Sequence, residues 1–316
     1  MRTRFLSCLA FVVARQCAAQ ALPAEFDHNR IQLVAHAKDG STLSFVVDSG
    51  GGFNAIARPV VDRLKLASVG SVDEDGMSFR LVEFPAVAAQ AGVPPPLPGA
   101  WQDGRLAVAS MAMLSGDGFL GSTWFADRTW RIDYGRHEMA LLKDWKPGAQ
   151  DREIPLGFQT DPDGRRLAQM PRMTIAVDGK PLDVLLDTGA TVTTTDESAS
   201  AFGVAPGSSV GGSFIIKSIF DDWHARHPLW RVIERGDGLR GKSFPMIEVP
   251  LVTVAGFAVG PVWFAQRPDA NFTETMSSMM DKPVVGAFGG SGLQFFHVVL
   301  DYPRAVAWFG TNAAAD

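Results

Sequence analysis

The chain carries the triplet Asp-(Ser/Thr)-Gly twice, in LSFVVDSGGG around Asp48 and in LDVLLDTGAT around Asp187, each time closing an apolar run that reads as a strand. A carboxylate directly after Val46-Val47 or Leu185-Leu186 interrupts a segment otherwise fit for burial, and a buried carboxylate is costly unless it is paired or hydrogen-bonded. A functional site is the usual reason for such a placement. At average residue frequencies, two copies of so short a triplet arise in about one per cent of chains of this length. The apolar runs before both copies make coincidence rarer still.

Material further along repeats as well. DGFLGSTWFADRTWRIDYGRHEMALL follows the first triplet and KPVVGAFGGSGLQFFHVVLDYPRAVAWFG follows the second. Each reads as two apolar residues, a glycine, a short segment and an apolar strand ending Asp-Tyr. This aligns Phe119-Leu120-Gly121 with Val284-Val285-Gly286, and Asp133-Tyr134 with Asp301-Tyr302, the only two tyrosines. The copies lie 139 residues apart at the triplets and 168 apart at the Asp-Tyr pairs, so the second carries an insertion. The pattern is a duplicated domain, not a short tandem repeat.

These residues resemble the retropepsin and pepsin superfamily of aspartic peptidases, in a bacterial-type version with two fused retropepsin-like lobes. The resemblance covers most of the chain after residue 30. It implies a mainly β fold: two pseudo-symmetric β-barrel-like lobes of the acid-protease type, with a few short helices. It also implies that each lobe supplies one catalytic aspartate, Asp48 and Asp187, on a psi loop crossed by the later apolar-apolar-Gly element. Ser49 and Thr188 would donate hydroxyls across the lobe junction, and Gly50 and Gly189 would let the backbone turn sharply beside the carboxylates.

The chemistry of the residues agrees. Two carboxylates within hydrogen-bond reach share one proton and titrate as a pair. Such a pair can activate a water against a carbonyl, with no cofactor and no metal. Some positions depart from the family pattern. Gly51 and Ala190 stand where pepsin-like members carry Ser or Thr; Gly51-Gly52 is expected to loosen the first loop. Neither tyrosine is placed to act in a flap, for which Val72–Phe84 and Pro206–Ile216 are the candidate segments. AFGGSG after Gly286 is too glycine-rich for the helix expected there, which marks the second lobe as locally degenerate.

With 316 residues, 46% apolar and 20% charged, the chain can fill two cores. Lobes are expected over 22–148 and 149–316, joined through the Pro- and Gly-rich stretch Lys146–Gly164, with short helices at Arg58–Leu66, Asp196–Phe202 and Ser218–Arg226. Residues 1–21 read as a signal peptide: Arg2 and Arg4, the apolar run Phe5–Ala14, and Ala19-Gln20-Ala21 as cleavage site. Cleavage would remove both cysteines, Cys8 and Cys17, and shift the net charge from -5 to -8. The expectation is an exported protein, periplasmic or secreted, monomeric because both half-sites lie in one chain. It would have no membrane association after cleavage, and its acidity argues against nucleic acid as a partner.

Other motifs have weaker context. Gly236–Ser243 (GDGLRGKS) fits a phosphate-binding loop, but FPMIEVP follows it instead of a helix. Gly207–Gly211 (GSSVG) fits a hydrolase elbow around Ser209, again without the flanking strand and helix. His224 and His227 near Asp221 and Asp222 lack a further metal-ligand signature. Asp161–Gly164 reads as a turn, Val93–Pro98 (VPPPLP) as a rigid loop and Asn271-Phe272-Thr273 as a bare sequon. Most of Trp101, Trp124, Trp130, Trp223, Trp230 and Trp263 are expected in the core. The reading is an aspartic endopeptidase acting on a peptide or protein substrate. The alternative is a catalytically inactive retropepsin-like binding or scaffold protein.

Overall fold

A computed structural model of the chain describes residues 19–312 apart from 75–76, 88–91, 99–101 and 111–115. Trp101, both cysteines and the basic and apolar parts of the expected signal segment lie outside these. The fold is mainly β, with two pseudo-symmetric lobes and a few short helices. The longest described helix, Lys217–Arg226, has ten residues. No described helix is long and apolar enough to cross a membrane.

Each lobe is built around a strand threaded between two others. In the first, Gly118–Leu120 lies parallel to Thr42–Val47, which leads into Asp48, and antiparallel to Ala55–Ala57, which follows it. In the second, Gly286–Phe288 lies parallel to Lys180–Leu186 and antiparallel to Ser213–Ile216. A strand bonded on both edges and covered on both faces must be apolar and tightly packed. Val47, Leu120, Leu186 and Phe288 are accordingly fully buried.

Register corrects the alignment of the two copies. Val46 faces Phe119 and Val47 faces Leu120, while Leu185 faces Ala287 and Leu186 faces Phe288. The equivalent of Phe119-Leu120-Gly121 is therefore Ala287-Phe288-Gly289, not Val284-Val285-Gly286, and Gly286 is the counterpart of Gly118. Packing requires glycine at all four. A Cβ would lie 2.3 Å from the Ala55 carbonyl oxygen at Gly118 and 2.1 Å from that of Phe214 at Gly286. At Gly121 and Gly289 it would lie 2.1 Å from the Phe53 and 2.4 Å from the Gly212 carbonyl oxygens. The spacing of 168 residues then holds from Gly118 through Asp133 and on to their partners.

The second lobe is not degenerate after this element. Ser122–Phe125 and Gly290–Leu293 are equivalent helices of four residues each. Gly292 is forced by the Phe288 ring, 2.2 Å from where its Cβ would stand. Twenty of the 29 inserted residues also have a definite place. Ile56 faces Gly118 and Ile215 faces Gly286, a spacing of 159 against 139 at the triplets. Twenty residues are thus added directly after Asp187, where Thr191–Thr193 pairs with Ser209–Gly211 around the helix Ala199–Phe202.

A six-stranded sheet joins the lobes, ordered Ala19–Ala21, Glu138–Leu142, Thr129–Asp133, Phe296–Asp301, Val306–Thr311, Arg152–Pro155. At its centre Thr129 faces Asp301, Arg131 faces Val299 and Asp133 faces His297. A shift of 168 exchanges the outer pairs and maps Arg131 onto Val299, so the pseudo-twofold axis passes between those two residues. Beneath the sheet Trp124 stacks on Trp130 with ring centroids 4.2 Å apart, and Phe125 stacks on Tyr302 at 5.7 Å. Trp223 and Trp263 are also buried and Trp230 is half-buried.

The remaining motifs resolve into ordinary structure. Gly236–Ser243 bridges Val232–Asp237 and Phe244–Val249, two strands of one hairpin, through the short 3-10 turn Leu239–Gly241. Ser209 lies in a strand. His227 bonds Asp178 at 2.6 Å, and no cluster of three or more His, Cys, Asp or Glu suited to a metal occurs among the described residues. Asp161 Oδ1 accepts from the amide of Asp163, a turn motif. The proline loop is fixed on lobe one by Trp124 Nε1 donating to the Pro94 carbonyl and Arg128 Nη2 to that of Pro95.

Candidate active site

Both aspartates sit at the point where a buried strand leaves its sheet. The amide of Asp48 donates to the Leu120 carbonyl at 3.0 Å and that of Asp187 to the Phe288 carbonyl at 3.0 Å, the last rungs beside the threaded strand. The chain then turns tightly, with Gly51 N–H on the Asp48 carbonyl and Ala190 N–H on that of Asp187. Within each turn the glycine amide reaches the carboxylate: Gly50 N–H to Asp48 Oδ1 at 3.1 Å, Gly189 N–H to Asp187 Oδ1 at 2.9 Å.

The two turns are locked to each other. Ser49 Oγ donates to the Leu186 carbonyl at 2.7 Å and Thr188 Oγ1 to that of Val47 at 2.9 Å. Each hydroxyl oxygen in turn accepts the other residue's amide, at 3.0 Å both ways. Four bonds among fully buried groups close a ring across the junction, where any unpaired member would carry the full penalty of burial.

This ring brings Asp48 and Asp187 face to face, within hydrogen-bond reach of one another. Each carboxyl lies against the other loop's glycine. A Cβ on Gly189 would fall 2.3 Å from Asp48 Cγ, and one on Gly50 would fall 2.5 Å from Asp187 Cγ. Burial pushes both carboxyls above the usual range, Asp187 further because the Asp48 charge adds to the burial. Two carboxyls in this position disfavour double ionisation, and the charge of Asp48 makes Asp187 the harder of the two to ionise.

Gly51 does not loosen the first loop. Its carbonyl accepts the Ser122 amide at 2.7 Å, and a Cβ there would lie 2.8 Å from Asp48 Oδ2. The hairpin Ser68–Glu74 with Met77–Val82 spans most of the first flap candidate and brings Phe79 to Phe53, centroids 6.1 Å apart, five residues beyond Asp48. The end of the second candidate, Ser213–Ile216, is the inner strand of the second-lobe sheet, while its Ser209–Gly211 part pairs with Thr191–Thr193 in a separate hairpin.

Two supporting residues escaped the sequence: buried Asn54 and Ser213, one lobe apart. Asn54 Nδ2 donates to Thr123 Oγ1 at 2.8 Å, and Ser291 Oγ to Ser213 Oγ at 2.8 Å. The only sequence signal is a polar residue just before the apolar strands at Ala55 and Phe214. Beneath the pair, Tyr134 and Tyr302 are buried with no hydrogen-bond partner for either hydroxyl among the described residues. Burial raises both phenols, and the aspartate of the opposite lobe raises each further.

No family model matches the chain. No curated protein matches it. Among solved structures it is similar to conglutin gamma, a basic 7S globulin from lupine seeds, at 11% identity over 94% of this chain and 96% of that one, with a TM-score of 0.48. It is also similar to basic 7S globulin from soybean, at 10% identity over the same shares, with a TM-score of 0.48.

Proposed function

We propose that the chain is an aspartic endopeptidase that hydrolyses peptide bonds in an extended segment bound across the lobe junction. The observation that carries this reading is the carboxyl pair, Asp48 facing Asp187 on loops locked by Ser49 and Thr188. The ionised member takes a proton from water while the protonated member donates to the scissile carbonyl oxygen. The water oxygen bonds to the carbonyl carbon and gives a neutral tetrahedral diol. Its collapse returns a proton to the amine, breaks the C–N bond and restores the singly protonated pair. No covalent enzyme intermediate forms.

Backbone amides of Gly50 and Gly189 hold the carboxylates in place at no rotational cost, so the pair is preorganised. On this reading the protein acts on peptide or protein substrates as a monomer, outside the cytoplasm. The purified protein incubated with a peptide library at mildly acidic pH should release fragments, and Asp187→Asn should release none. Equal inertness of both across a broad pH range, with retained binding of the peptides, would establish the binding-protein alternative instead.

A further inference from the structure

Asp187 also lines a cavity of about 310 Å³ in the second lobe. That volume lies at the small end of ligand pockets, roughly 300–1,000 Å³, enough for one large side chain. Leu185, Phe214, Phe272 and Met276 give it apolar walls, and Asn271 and Thr275 add polar lining besides Asp187. One charged residue, Arg267, also lines it. This guanidinium is nearly fully buried, lies 4.0 Å over the Phe214 ring and 5.2 Å from that of Phe244, and is held by Asp237.

Arg267 has donors to spare. Among the described residues Nη2 donates to Asp237 Oδ2 at 2.5 Å and Nη1 to the Gln266 carbonyl at 2.9 Å, which uses two of its five N–H groups. Asp237 is fully buried and takes a further bond from the Thr193 amide at 2.9 Å, so the guanidinium is matched by a carboxylate held in place from its other side. The pocket therefore combines an aromatic and aliphatic body, unspent hydrogen-bond donors and no net charge from its own ion pair. An acidic side chain would bring a third carboxyl beside the Asp48–Asp187 pair, against a guanidinium already matched by Asp237. A basic one would meet Arg267. A neutral aromatic carrying an acceptor oxygen meets neither objection.

Resting on the endopeptidase reading, we propose that this cavity is a side-chain subsite beside Asp187 in which Arg267 selects tyrosine over phenylalanine. The phenol oxygen accepts from the guanidinium while the ring packs against Phe214, Phe272 and Met276. One neutral acceptor satisfied by a buried cation corresponds to a preference of about tenfold.

The test uses one peptide series with Tyr, Phe, Leu, Glu or Lys at each residue flanking the cleaved bond, scored by mass spectrometry and kcat/KM. At one flanking position Tyr should exceed Phe by about tenfold. In Arg267→Met/Asp237→Asn, where no buried charge is left alone, the two should be equal. Circular dichroism and Tm check the variant's fold, and Arg267→Lys serves as a second variant with the charge kept. The same series with the scissile amide reduced to CH2–NH measures Kd on the wild type without turnover. Equal Tyr and Phe binding, tighter Glu binding, a preference that survives loss of Arg267, or no binding at all would each overturn the subsite. Binding with the Tyr preference but no cleavage of the amide series would overturn only the endopeptidase reading.

Discussion

Asn54 and Ser213 accept the same hydrogen bond in the two lobes, from the amides of Gly121 and Gly289, at 2.9 and 3.0 Å. They lie 159 residues apart, as do the strands they open. Asn54 is also clamped by Gln102, which accepts its amide and donates to its carbonyl, both at 2.7 Å. Different side chains thus hold the two threaded strands against the two aspartate loops. Asn54→Leu should leave the Gly121 amide and the Thr123 hydroxyl unpaired and cost about 2–4 kcal/mol in urea unfolding. It should also lower kcat more than KM is raised.

Thr188→Val keeps the shape of the side chain and removes the hydroxyl. It strands the Val47 carbonyl and the Ser49 amide, and about 2–3 kcal/mol of stability should be lost. Ser49→Ala should behave alike. Because both act on one ring, the double variant should lose clearly less than the sum, which a double-mutant cycle by chemical denaturation reads directly.

The carboxyl pair fixes the sign of a pH effect. Asp187 is raised above its unfolded value, so its bound proton contributes stability that is complete below the unfolded pKa and lost as pH rises through the folded one. Asp187→Asn removes that loss. The variant should melt higher than wild type at pH 7, by about 2–4 °C for each 1 kcal/mol gained. The gap should close as pH falls towards 4. A gap that widens on acidification would contradict the shared proton.

Gly189→Ala would set a methyl carbon 2.3 Å from Asp48 Cγ, whereas Gly52 has nothing within 4 Å of its would-be Cβ. The first substitution should abolish peptide cleavage by pushing the carboxyls apart. Gly52→Ala should leave kcat/KM within about twofold, and it stands as the control for backbone stiffening in the same loop.

Tyr302→Phe deletes a buried hydroxyl that has no partner among the described residues. Removing an unsatisfied polar group should leave stability unchanged or raise it by about 1–2 kcal/mol, as should Tyr134→Phe. Thermal melts of both variants decide this.

The two aspartates, their glycines and the paired Asp-Tyr strands were legible because each depends on a local pattern at a fixed spacing. Helices at Arg58–Arg63, Ala199–Phe202 and Lys217–Arg226 lie within two or three residues of the expected bounds. The frame of the threaded strand was not legible. Leu120-Gly121 and Val285-Gly286 look alike in sequence, and the choice between frames is made by carbonyl oxygens of Ala55 and Phe214 on a neighbouring strand. Gly290–Leu293 misled for a related reason, since its glycines answer to the Phe288 ring and not to helix propensity. Asn54, Ser213 and Arg267 were missed because their side-chain partners lie between 30 and 78 residues away and no motif links them.

Arg131 facing Val299 across the central sheet decides which halves can marry. A symmetric dimer built from two copies of the first half would set Arg131 against Arg131 at the heart of the shared sheet, like charges directly opposed. Two copies of the second half would set valine against valine and meet no such repulsion. The first half is therefore the more dependent one: released from the chain, it would pair with itself less well than with its sister, even with Glu138 beside each arginine.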